Sequence, residues 1–128
     1  MLVVEQDQSD AELCLHTLKR AGFEVREDVV GFPEQFATRI QTYLYDVILA
    51  DDHLPGWTGL DALRLLRALG LDTPLILVSG TPSEGRAVKR LKEGVGDYVI
   101  KADLARLPAA VRLALQRTSA EGGTTEAG

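Results

Sequence analysis

D-V-I-L-A-D-D-H-L-P-G, residues 46–56, runs from an unbroken apolar stretch into an acidic pair and then into a turn. Val47 to Ala50 show no polar alternation, so the strand they predict is covered on both faces, as strands of a parallel sheet are. Leu54-Pro55-Gly56 marks the turn. Thr58-x-x-Asp61 then forms a capping pattern ahead of Leu60, Leu63 and Leu66, and Gly70 closes the helix. Asp51 and Asp52 therefore sit at the carboxyl end of a buried strand, where open α/β sheets place their functional loops.

The same grammar recurs on both sides. Leu2-Val3-Val4 is a short apolar run, followed by Ser9 and Asp10 as helix-start signals. Residues 11–21 carry Ala11, Leu15 and Leu18 at helical spacing, and Gly22 stops them. Residues 23–28 alternate as a half-exposed strand does, and Pro33 opens a helix with Phe36 and Ile40 on one face. P-L-I-L-V-S, residues 74–79, predicts another buried strand, residues 82–92 a helix ended by Gly94, and residues 97–100 a fifth strand. Asp103 is a candidate cap for a turn at residues 104–107, with a longer helix from Pro108 to Arg117. Five strand-helix units without a repeat predict a doubly wound α/β domain over residues 1–118. Residues 119–128 are small and polar, and predict a disordered tail.

Composition narrows the function classes. The 128 residues fit one domain, and a net charge of −5 argues against direct nucleic-acid binding, which needs a basic surface. No run approaches the roughly 20 apolar residues that span a bilayer. A cytoplasmic protein without a membrane partner is expected, with Met1 so close to the first strand that a short native leader would fit ahead of it. The one cysteine, Cys14, lies in an apolar helical pattern and reads as a buried structural thiol.

Glu5, Gln6 and Asp7 follow the first strand, Asp51 and Asp52 the third, Ser79 ends the fourth and Lys101 follows the fifth. Converging strand ends would gather several carboxylates, a hydroxyl and an ammonium. Carboxylates about 4 Å apart repel by roughly 1 to 4 kcal/mol, so a cation steadies such a group, and oxygen donors favour magnesium. A carboxylate nucleophile with a metal and a lysine suits phosphoryl transfer to an acyl phosphate. His16 and His53 are too far apart in the pattern for a zinc site.

V-V-E-Q-D (residues 3–7), D-D-H-L-P-G (51–56), V-S-G (78–80) and D-Y-V-I-K (97–101) resemble, in order and spacing, the receiver domains of two-component response regulators. The stretch K-A-D-L-A-R-L resembles a receiver subgroup with K-x-x-L-A-R-L after the fifth strand. The resemblance implies a flavodoxin-like five-stranded sheet in the order 2-1-3-4-5 with helices on both faces. It implies Asp51 as phosphoacceptor, Lys101 as the lysine that pairs with the phosphoryl group, Ser79 as switch hydroxyl and Tyr98 as aromatic switch. Glu5, Asp51 and the backbone carbonyl of His53 would bind magnesium. A histidine kinase or phosphotransfer protein would be the donor. A second copy or an output partner would dock on the fourth helix, fifth strand and last helix. Such a chain is no enzyme beyond its own phosphotransfer and autodephosphorylation.

Three departures qualify the resemblance. Gln6 stands where the family has a second, metal-binding carboxylate, which predicts weak magnesium binding. Ala102 replaces the usual proline, so a cis peptide is not expected there. Ser79 replaces the more frequent threonine. Gln6 also keeps open a degenerate receiver that acts as a phosphorylation-independent interaction module. A flavin-type cofactor binder is disfavoured, because the loop at residues 5–10 is acidic where a phosphate loop carries glycine and hydroxyls. Tyr98 reads equally well as a surface tyrosine, Asp7 as a solvated loop residue, and Trp57 as a local packing residue or an exposed contact. The charge run from Arg86 to Lys92 reads as a solvated helix face.

Overall fold

The computed structural model describes residues 1–26 and 28–127, with side chains as far as Arg117. Five parallel strands form one sheet in the order β2-β1-β3-β4-β5: β1 is Leu2–Val4, β2 Val29–Val30, β3 Ile48–Asp51, β4 Leu75–Ser79 and β5 Asp97–Ile100. The helices between them are α1 (Gln8–Arg20), α2 (Pro33–Thr42), α3 (Gly59–Ala68), α4 (Glu84–Lys92) and α5 (Leu107–Ala127). Among the described residues, no helix is long and apolar enough to cross a membrane.

Strand alternation sorts the core into two layers. Leu2, Val4, Ile48, Ala50, Leu75, Leu77 and Tyr98 face α2 and α3, against Phe36, Ile40, Leu60 and Leu66. Val3, Leu49, Ile76, Val78 and Val99 face α1 and α5, against Leu15, Leu18, Leu107 and Val111. Both faces of the central strands are covered, which is why their sequences lack alternation. Cys14 is buried in the α1 and α5 layer.

Local signals act as their chemistry requires. Thr58 and Asp61 form a reciprocal capping box at the start of α3, at 3.2 and 2.9 Å. Gly59 is required at that entrance: a Cβ there would lie 2.2 Å from a Leu77 methyl and 2.8 Å from the Asp51 carbonyl.

Several boundaries differ from the sequence reading. The second strand is Val29–Val30, not residues 23–28 (of which Glu27 lies outside the described residues). Val29 and Val30 take the register beside Val3 and Val4, while Phe23 and Val25 pack against the α1 and α5 layer without joining the sheet. Helix α4 begins at Glu84 because the Ser83 hydroxyl accepts the Arg86 N–H as its cap. Residues 101–106 form a 3-10 turn that contains Asp103, and α5 starts at Leu107. The backbone of α5 continues helical through residues 119–127, where composition predicts a disordered tail; extending an existing helix costs far less than starting one. Gly128 lies outside the described residues.

Candidate functional site

Alternation decides which strand-end residues meet. Glu5 follows Val4, Asp51 follows Ala50 and Lys101 follows Ile100, so all three turn toward the α1 and α5 side. Lys101 Nζ lies 3.0 Å from Glu5 Oε2 and 3.0 Å from Asp51 Oδ2. It also lies 2.8 Å from Asp10 Oδ2, on the first turn of α1. Asp10 was legible only as a helix-start residue; its position over the strand ends follows from where α1 begins, which the sequence marks without giving its direction. Asp7 is the α1 cap, its carboxylate accepting the Asp10 N–H at 3.1 Å.

Three carboxylates thus share one ammonium. Lys101 is held well above the usual lysine range: burial works against its charge, but the bonds to Asp10, Glu5 and Asp51 outweigh that. Burial raises the Glu5 carboxyl and nearby Asp51 adds to this, against the Asp7 N–H and Lys101, which lower it. The Asp7 N–H donates to Glu5 Oε1 at 3.1 Å, and the His53 N–H donates to Asp51 Oδ1 at 3.0 Å. Glu5 and Asp51 are each only 8% exposed, so this charge is concentrated at a narrow opening.

Gln6, Ser79 and Tyr98 have surroundings of their own. Gln6 turns to the second strand's loop, and its Oε1 would lie 3.0 Å from a Cβ on Gly31. It lines, with Glu5, Gln8 and Glu12, a cleft of about 360 Å³ beside the carboxylates. Ser79 is fully buried, and its hydroxyl accepts the Thr81 N–H at 3.2 Å and donates to the Thr81 carbonyl at 3.4 Å. Tyr98 is buried, not a surface tyrosine, and its hydroxyl donates to Asp52 Oδ2 at 3.4 Å. Trp57 packs locally: its indole N–H donates to the Gly31 carbonyl at 3.2 Å and its ring lies 5.8 Å from that of Phe36. No peptide bond among the described residues is cis, the one before Ala102 included.

The charge run on α4 is not simply solvated. Arg86 and Arg90 reach inward to Asp52, which is fully buried. The sequence reading missed this because basic residues four apart on a helix are ordinarily a water-facing pair, and the buried carboxylate that turns them inward lies on another element.

A separate cleft of about 510 Å³ lies at the amino ends of the strands, lined by Glu24, Arg26, Arg39 and Tyr45 among others, and shares no residue with the Lys101 group. Among the described residues, no three His, Cys, Asp or Glu side chains are gathered as a metal cluster. The donor chemistry still suits a divalent ion, since Glu5, Asp10 and Asp51 bring more negative charge than Lys101 offsets.

Residues 1–112 match the family described as response regulator receiver domain. The cell cycle transcriptional regulator CtrA of Caulobacter vibrioides is 35% identical over 101 residues, which cover 79% of this chain and 43% of that protein. The DNA-binding response regulator MtrA of Mycolicibacterium smegmatis is 34% identical over 122 residues, covering 94% of this chain and 52% of that one. The chain spans about half the length of these relatives. The receiver domain of the Francisella response regulator 1452 superposes with a TM-score of 0.79 at 28% identity, covering 91% of this chain and 96% of that one. The receiver domain of a putative Luxo repressor protein from Vibrio parahaemolyticus gives 0.83 at 25% identity, with 96% and 94% covered. A match running through all five strands and into the last helix, on a sheet that winds in the order 2-1-3-4-5, makes this chain a member of the response regulator receiver domains of two-component systems.

Proposed function

We propose that this receiver accepts a phosphoryl group on Asp51 from a histidine kinase or phosphotransfer protein, and changes shape in response. The observation that carries the reading is the Lys101 ammonium, 3.0 Å from the Asp51 carboxylate at the mouth of the sheet. An Asp51 oxygen attacks the phosphorus, the new P–O bond forms as the donor's P–N bond breaks, and the departing imidazole nitrogen takes a proton from solvent. Lys101 offsets charge on the transferring oxygens, and the His53 N–H keeps the second Asp51 oxygen in place.

Glu5, Asp51 and the His53 backbone carbonyl are the groups that would hold magnesium, with waters completing its shell and Gln6 contributing little from its place beside Gly31. When bound, the ion would neutralise phosphoryl oxygens. We place the chain in the cytoplasm, with output to a second copy or partner through α4, β5 and α5, and no turnover beyond its own phosphotransfer and autodephosphorylation.

Incubation with acetyl phosphate and magnesium, followed by intact mass, tests this. A gain of one phosphoryl group that Asp51→Asn abolishes is the expected result. No gain in the wild type would overturn it in favour of an interaction module that works without phosphorylation.

A further inference from the structure

Phosphoryl transfer leaves one buried charge unexplained. Asp52 is 0% exposed, on the α2 and α3 side of the sheet. Its Oδ1 accepts Arg90 Nε at 3.2 Å, and its Oδ2 accepts Arg86 Nη1 at 3.2 Å and the Tyr98 hydroxyl at 3.4 Å. Arg86 and Arg90 are one helical turn apart on one face of α4. That helix has no fully buried side chain, and its larger apolar residues, Val88 and Leu91, are 52% and 45% exposed. By contrast α1, α2 and α3 each carry apolar residues buried in the core. Half-buried Ala87 gives α4 one apolar contact with the core, and the Asp52 carboxylate supplies a second, ionic attachment.

The same contacts lead back to the phosphorylation loop. Arg86 Nη1 also lies 2.7 Å from His53 Nε2, and the His53 backbone bonds Asp51. We propose that Asp52 is a positioning residue that moors α4 and Tyr98 to the loop after β3 by charge, and that a phosphoryl group on Asp51 resets this mooring. The second half rests on the phosphoryl-acceptor reading; the first does not. A phosphoryl group on Asp51 carries about 1.5 to 2 negative charges in place of the single carboxylate charge, one residue away, and competes with Asp52 for Arg86. Arg86 is the looser of the two, its side chain 37% exposed against 14% for Arg90.

Hydrogen exchange on unphosphorylated Asp52→Asn tests the mooring without any phosphodonor. Amides at residues 84–98 should exchange about tenfold faster or more, while those of β1 and α1 keep wild-type protection. Exchange within about twofold of wild type across residues 84–98 would overturn it. If Asp52→Asn does not fold, the combination Asp52→Leu, Arg86→Met and Arg90→Met replaces the ionic cluster by apolar contact. That variant should keep α4 protected and accept label, yet lose the phosphorylation-induced change at residues 84–98. A wild-type response from it would equally overturn the proposal. Failure of the wild type to gain a phosphoryl group by mass would sink only the acceptor reading.

Discussion

Asp51 and Asp52 carry the same side chain on consecutive residues, and the sheet between them makes their surroundings unlike. Asp51 turns to the α1 and α5 side, where it shares Lys101 with Glu5 and Asp10 at a rim open to solvent. Asp52 turns to the other side, is sealed from water, and accepts from two guanidinium groups, one of them shared with Glu93, with a phenol hydroxyl as third donor. One site is short of positive charge and the other is well supplied. The first can therefore take a cation or a phosphoryl group with its neighbours, while the second is already satisfied and serves to hold helix α4.

The widest separation between the two should come from labelling. Asp51→Asn is expected to remove all phosphoryl uptake from acetyl phosphate, whereas Asp52→Asn should keep label within a few-fold of wild type; intact mass over time reads both. Label persisting on Asp51→Asn would break the comparison at once.

Stability should invert the ranking. Asp52→Ala empties a fully buried position, leaving Arg86 and the Tyr98 hydroxyl without their carboxylate and Arg90 with Glu93 alone, and should cost about 3 kcal/mol in urea unfolding. The same truncation at Asp51 should cost less, because Lys101 retains Glu5 and Asp10. Equal losses would show that Asp52 has no special structural weight. Gly59→Ala should fall next, at about 2 kcal/mol, since the added methyl meets Leu77 and the Asp51 backbone. Its labelling rate should fall too, because relief of the clash displaces the strand end that bears Asp51.

Gln6→Asp sharpens the charge contrast. A carboxylate there deepens the deficit on the Asp51 side, and magnesium should bind several-fold tighter by calorimetry, a change of about 1 kcal/mol. Unchanged affinity would mean that Asp10 already supplies the missing charge.

Cys14 gives the smallest signal. Burial, aided by the Glu5 carboxylate, pushes its thiol up to about 11. Since the thiol of an unfolded chain ionises near pH 8.5, its contribution to stability is present below that pH and is lost as pH rises toward 11. Folded protein at pH 8 should therefore resist a thiol reagent that labels the urea-unfolded chain rapidly. Fast labelling in the fold would show that the α1 layer opens.

Much of this was legible in the sequence because alternation, turns and caps are local. The runs ending at Val4, Ala50, Ser79 and Ile100, the capping box at Thr58 and the lysine after the fifth strand all declare themselves within a few residues. What the sequence did not show depends on distance. Val29 and Val30 become a strand through pairing with Val3 and Val4, while the better-alternating residues before them do not pair. Asp10 joins the Lys101 group across 91 residues, and Asp52 meets Arg90 across 38. No window along the chain contains either pair.

The absence of a buried side chain on α4 has a thermal consequence. Apolar surface exposed on opening is what gives a conformational change its large positive heat capacity, and with it an enthalpy that varies with temperature. Detaching α4 breaks ion pairs and exposes little new hydrocarbon, so its heat-capacity change should be small. The enthalpy of detachment would then hold nearly constant, and the logarithm of the ratio of docked to detached α4 should run nearly straight against inverse temperature. A helix tied down by charge in this way would lack the curvature with temperature that apolar docking brings.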